Sequence, residues 1–280
     1  MEKDILWDKN IDILLCSFSY NQVDNFLNAL DYSDMYKATM FIAEDNYESA
    51  ELWEWLSTKD DYELNDVKRE LQKWIVKSEK IPEEQYEEKI ANIGENIQSK
   101  ILLAGGGDSE FEFCTLQEYL DAIRLYLAME KKDSFSKDMI ECFPNLYFVS
   151  DIESTLNTLN RSFSEIKEEI IQHLRALDDY KDKFLLLERE GKSNREISLQ
   201  FKGDTGINCS PQSDRDGTVN LRVTLYNDIT KSNEEIVCEL HTKFNKFNID
   251  RTKQDRIYFS PGKPGVQDGR TIIKHIGTHL

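Results

Sequence analysis

Over roughly the first two-thirds of the chain, apolar positions recur at helical spacing. Asn21–Leu30 predicts a helix. Residues 48–76 predict a longer helical stretch, with Leu52, Trp55 and Leu56 on one face and Leu71, Trp74 and Ile75 on another. Two short apolar runs interrupt it: IDILLC at 11–16, a strand or a buried helix, and Thr39–Ala43. The densely charged stretch 79–98 predicts a solvated helix. Thr115-Leu-Gln-Glu118 and Ser162-Phe-Ser-Glu165 have the spacing of capping boxes, in which a hydroxyl and a carboxylate each satisfy a free helix N–H. The helices they open carry Leu120, Ile123 and Leu127, then Ile166, Ile170, Leu174 and Leu177, as core stripes. His173 lies beside the second stripe and reads as structural. Between these helices, 142–148 is a proline-marked turn entering an extended piece.

After Leu187 the period changes. EREGKSNR at 188–195 is polar and contains Gly191, which predicts a boundary near 185–195. Beyond it, Ile197, Leu199 and Phe201 alternate with Ser198, Gln200 and Lys202, and Val219, Leu221, Val223 and Leu225 alternate with polar or aromatic neighbours. Ile236, Cys238 and Leu240 alternate with Glu235, Val237, Glu239 and His241, and Ile257 and Phe259 with Arg256 and Tyr258. This is the period of half-buried strands. A last strand, Thr271–Ile276, is mostly apolar and less clearly sided, which suits a central position; Pro261, Gly262, Pro264, Gly265 and Gly269 fill a hairpin-type loop before it. The expected fold is therefore α+β: a mainly helical acidic domain over 1–187, then a small antiparallel-sheet domain over 188–280. No internal repeat is present.

Charge supports the division. Residues 191–280 hold 14 Lys+Arg and 11 Asp+Glu, whereas the remainder holds 21 and 42; residues 241–280 alone hold 8 and 3. An acidic part that repels nucleic acid or meets a basic partner would thus precede a part able to meet phosphate, although acidic helices are also simply well solvated. No run of eighteen apolar residues exists, so no membrane span is expected, and the charged start MEKDILWDKN is unlike a secretory signal. The five cysteines never form CxxC, which predicts reduced thiols in a cytoplasm. Gly105-Gly106-Gly107 is followed by Asp108 and Glu110 rather than Gly-Lys-Ser/Thr, so it predicts a connection and not a phosphate loop. The four tryptophans, Trp7, Trp53, Trp55 and Trp74, read as core.

Three of the four histidines, His241, His275 and His279, fall after Glu234. Strand parity puts Glu239 with His241, and Arg256 with Tyr258 on the side opposite Ile257 and Phe259. If these strands are neighbours, Arg256, Tyr258, Lys274, His275 and His241 form a candidate catalytic group: cations to hold a phosphodiester, and proton carriers to act as acid and base. Lys243, Lys246, Arg270 and His279 are candidate binding residues around it. The alternative is that alternation merely places polar residues on a wet sheet face. Glu239, His241, His275 and His279 are suitable metal-ligand types, but their spacing matches no ligand motif, and no metal or other cofactor is expected.

The stretch EEIVCELHTKF, then RIYF, then GRTIIKHIGTHL resembles the end of the RelE/ParE toxin superfamily, over about residues 188–280. Arg256 and Tyr258 match the family's R-[IV]-x-[YF] strand, and Lys274, His275 and His279 match its last strand. The resemblance implies two helices followed by a small antiparallel sheet, and in RelE-like members a metal-independent ribonuclease acting on the ribosome. ParE-like members lack that activity. The whole chain is also similar to bacterial proteins found among mobile or defence genes. These likenesses imply a regulatory or interaction component with a protein partner and RNA or ribosome contact through the C-terminal domain; the alternative is a toxin-like ribonuclease controlled by the acidic region.

Overall fold

The computed structural model describes residues 3–11, 15, 17–60, 62–95, 100–105, 109–149, 151–212, 221–245 and 254–280. Two compact units divide the chain, residues 1–130 and 131–280. The expected link at 185–195 lies inside the second unit, where Gly191 takes φ of 69° in a turn between two helices. On this division the first unit carries 12 Lys+Arg against 29 Asp+Glu and the second 23 against 24.

The first unit is built on strands. Its elements are β1 (Asp4–Trp7), α1 (Tyr20–Met35), β2 (Thr39–Ala43), α2 (Glu44–Tyr47), α3 (Ala50–Ser57), α4 (Tyr62–Lys77), β3 (Glu79–Ile81), α5 (Glu83–Ala91), β4 (Ile101–Ala104), β5 (Glu112–Phe113) and α6 (Leu116–Met129). The sheet order is β3-β2-β1-β4-β5, and every pairing is parallel. Both faces are covered. Leu6, Phe41, Ala43, Ile81, Ile101 and Leu103 pack with Tyr86 of α5. On the other face Trp7 meets Phe26 of α1 edge-on, with centroids 5.8 Å apart. That explains why β4 reads as an unbroken apolar run: a strand buried on both faces has no polar side to alternate with. The expected helical N-terminal region is thereby corrected to a doubly wound α/β unit. Its strands are short and lie among stronger helical signals, so periodicity alone passed over them. Of the IDILLC run, positions 12–14 and 16 lie outside the described residues; Ile11 and Leu15 are buried. Trp7 and Trp74 are buried as expected, while Trp53 and Trp55 are half-buried.

The second unit contains α7 (Lys132–Cys142), β6 (Leu146–Phe148), α8 (Ile152–Thr155), α9 (Phe163–Asp179), α10 (Lys181–Arg189), α11 (Asn194–Thr205), β7 (Cys209–Pro211), β8 (Arg222–Asn227), β9 (Ser232–Val237), β10 (Leu240–Lys243), β11 (Arg256–Ser260) and β12 (Thr271–Gly277). A five-stranded sheet runs β6-β12-β11-β10-β7, and β8-β9 form a separate hairpin. β6 joins β12 in parallel and the other pairs are antiparallel. The expected all-antiparallel sheet is thus a mixed one, because β6 comes from before the helices. The strand expected at 197–201 is helix α11. Its Ser193 and Glu196 form a capping box; Ile197 and Phe201, one turn apart, are fully buried, and Leu199 between them is 60% exposed. The single strand expected over 235–241 changes sheets at Cys238, whose N–H bonds Leu221 while Leu240 begins β10.

Among the described residues no helix is long and apolar enough to cross a membrane.

Candidate functional site

β12, the strand expected to be central, lies between β6 and β11. One face of this sheet is core. Thr242, Ile257 and Ile276 sit in register, and Thr242 Oγ1 lies 3.0 Å from Nδ1 of His173 on α9. Phe259 meets Phe184 at 5.5 Å and Phe201 at 6.3 Å, from α10 and α11. His173 is therefore structural, and burial pushes its pKa down to about 4.

The opposite face carries a polar row. Ser210, His241, Tyr258 and His275 stand directly across from one another on β7, β10, β11 and β12. Arg256, paired with Lys243, lies beside the row. Ile272, next to the core-facing Ile273, turns to this same side and packs with Leu225, Ile236, Cys238, Val266 and Val149; the β8–β9 hairpin thus covers the other end of the face. Over the row itself, the Leu280 amide donates to the Tyr258 hydroxyl at 3.2 Å, and Gln212 Nε2 donates to the Leu280 carbonyl at 3.0 Å.

The row is buried. Tyr258 is fully covered, His241 is 2% exposed and Arg256 8%. Arg256 and Tyr258 do point away from Ile257 and Phe259, but they meet protein and not an open wet face. Arg256 Nη1 lies 3.2 Å from His241 Nε2 and donates to the Tyr258 hydroxyl at 3.3 Å. A guanidinium can only donate, so the His241 Nε2 lone pair accepts and the ring proton sits on Nδ1. Nδ1 is buried with no hydrogen-bond partner, and so is Arg256 Nε. Among the described residues Arg256 Nη2 has no hydrogen bond either, so the Nε–Nη2 edge of the guanidinium has no partner there. No carboxylate is ion-paired with Arg256 among the described residues. Burial, then Arg256 and Lys243, push His241 down to about 3; the Glu239 carbonyl opposes this without hydrogen-bonding Nδ1. Burial first and the same two cations next also lower His279. His275 is lowered chiefly by burial, and its Nε2 donates to the Thr278 carbonyl at 2.9 Å.

The structure thus brings together Arg256, Tyr258, His241, His275, Lys243 and His279. It separates the others. Lys274 is the extra residue of a bulge: Tyr258 pairs with His275 but Phe259 with Ile273. Its ammonium meets Asp151 at 3.3 Å in a polar cleft of about 480 Å³ that also includes Arg222, Ser154 and Thr158 and that His275 and Leu280 border from the row's side. Arg270 stacks over Tyr147 and donates to the Gln267 carbonyl at 3.1 Å. Lys246 lies outside the described residues. Glu239 accepts from Asn194 and takes no part in the row. Ser210 and Gln212 are not among the sequence candidates; their one signal is the parity they share across Pro211. No group of three or more His, Cys, Asp or Glu is placed to hold a metal among the described residues.

By topology the chain is an α/β protein, pairing a doubly wound parallel unit with a mixed-sheet unit that carries a buried polar row beside Arg256. No family model matches the chain, and no curated protein or solved structure matches it either.

Proposed function

We propose that the chain is a non-catalytic interaction or regulatory protein of a bacterial defence or toxin–antitoxin-like system, and that the polar row of its second unit binds an anionic group carried by a partner. One observation carries this reading. The row holds a fixed charge, Arg256, but the adjacent histidine has its Nε2 lone pair occupied by that arginine and its pKa at about 3. Such a histidine is a poor base near neutrality, whereas a buried guanidinium without a carboxylate suits anion recognition. RNA is the first partner to test, on the strength of the RelE/ParE resemblance; a basic protein is the natural partner of the acidic first unit.

The test is filter binding of labelled RNA to the full chain across a salt series, with cleavage followed in the same samples. Expected are retention of intact RNA, affinity that falls with salt through counterion release, and weaker retention by Arg256→Ala. A metal-independent ribonuclease is the second reading, supported by the register of His241, Tyr258 and His275. Cleavage by the wild type that disappears in both Arg256→Ala and Tyr258→Phe would establish it instead.

A further inference from the structure

The unpartnered edge of Arg256 has a definite chemical counterpart. We infer that the row takes a phosphomonoester, the terminal phosphate of a nucleic-acid strand or of a small molecule, seated on the Nε–Nη2 fork of Arg256. This rests on the anion-binding reading above and narrows it. Both hydrogens of Nη1 are directed inward, to His241 and Tyr258. The remaining edge is the pair of parallel donors that matches two oxygens of one phosphate or carboxylate. Nε is buried and unbonded, so a donor beside the row lacks an acceptor that a ligand would supply.

Charge favours an anion there: Arg256 has no ion-paired carboxylate among the described residues, and a phosphomonoester brings more negative charge to its buried guanidinium than a carboxylate does. Enclosure favours an end over the middle of a strand. An internal phosphodiester needs room for chain on both sides, while this row lies under Leu280 and Gln212 with Tyr258 fully covered. A monoester presents its oxygens from one side only.

Calorimetric titration of the full chain tests this with inorganic phosphate and with one RNA oligonucleotide in three forms: 5′-phosphorylated, 3′-phosphorylated and phosphate-free. The expected result is saturable phosphate binding and roughly tenfold or more tighter binding of a terminally phosphorylated form. That gain should be lost in Arg256→Gln and also in Arg256→Lys, which keeps the charge without the fork; circular dichroism checks that each variant folds. Equal affinity for all three forms overturns the inference and leaves the anion-binding module standing. Binding of inorganic phosphate without any RNA supports the site and assigns it to a small-molecule source. If the wild type binds none of these probes, both readings fall. The decisive comparison uses the wild type alone, so it survives a variant that does not fold.

Discussion

His173 and His241 are held neutral by burial, at about 4 and about 3. In the unfolded chain each would titrate near the ordinary value of 6.5. Between those limits the unfolded state binds the protons that the folded state refuses, so stability is intact above about pH 6.5 and falls as pH drops. The slope approaches ~1.4 kcal/mol per pH step for each histidine once the unfolded form is protonated. Denaturant titrations at pH 7.5, 6 and 5 should show this loss, and His173→Phe should make it shallower. An unchanged midpoint over that range would contradict the burial of these rings. A second residue-scale contrast lies on α11. Ile197→Ala removes a fully buried side chain and should cost about 2–5 kcal/mol. Leu199→Ala, on the exposed side, should stay within about 0.5 kcal/mol. Equal losses would restore the strand assignment.

At the scale of elements, the loop joining β11 to β12 depends on Gly262. A Cβ there would stand 1.8 Å from the Gly269 carbonyl oxygen, which is backbone and cannot rotate away. Gly262→Ala should therefore open the loop and lower the melting temperature of the second unit, whereas Gly203→Ala, with open space around its Cα, should not. The same elements show what the sequence could and could not tell. Capping boxes at Thr115 and Ser162 were legible because the motif is local and its geometry self-contained. The box at Ser193 was equally present but was overridden by an apparent alternation of three apolar residues. Three points cannot separate a period of 2 from one of 3.6 when the middle residue is exposed. The grouping of Arg256, Tyr258, His241 and His275 was legible as parity on adjacent strands. The displacement of Lys274 was not, since a bulge is set by pairing with a distant strand. The parallel sheet of the first unit was illegible for a similar reason: strands of two to five residues leave too few positions to show any period.

At the scale of the whole molecule, the charge imbalance belongs to a unit and not to a tail. Residues 1–130 carry 29 acidic and 12 basic side chains on a fold with its own two-sided core. A field of that sign suppresses non-specific attraction to polyanions, so RNA contact by the full chain should depend on the specific row more than on bulk charge. In a salt series, neutralising exposed acids of α5, as in Glu84→Gln with Glu88→Gln, should raise affinity for phosphate-free RNA more than for the phosphorylated form. An equal rise for both would show that the row adds no discrimination.

The position of β12 has a consequence for synthesis. Tyr147 pairs with Ile272, 125 positions later in the chain. Until residues 271–277 are made, β6 has no strand partner among the described residues, although β7, β10 and β11 can pair with one another. In the first unit the central strand is β1, the earliest made. A growing chain can thus complete its first unit while the second lacks the strand that joins β6 to the rest of its sheet and keeps apolar faces uncovered, the state most exposed to chaperones and to aggregation. Chains released at residue 270 should accordingly yield a protease-resistant fragment near 1–130 and a rapidly degraded remainder, and full-length chains should resist throughout. A truncated chain whose second unit resists proteolysis as well as the intact one would show that the unit holds together without β12.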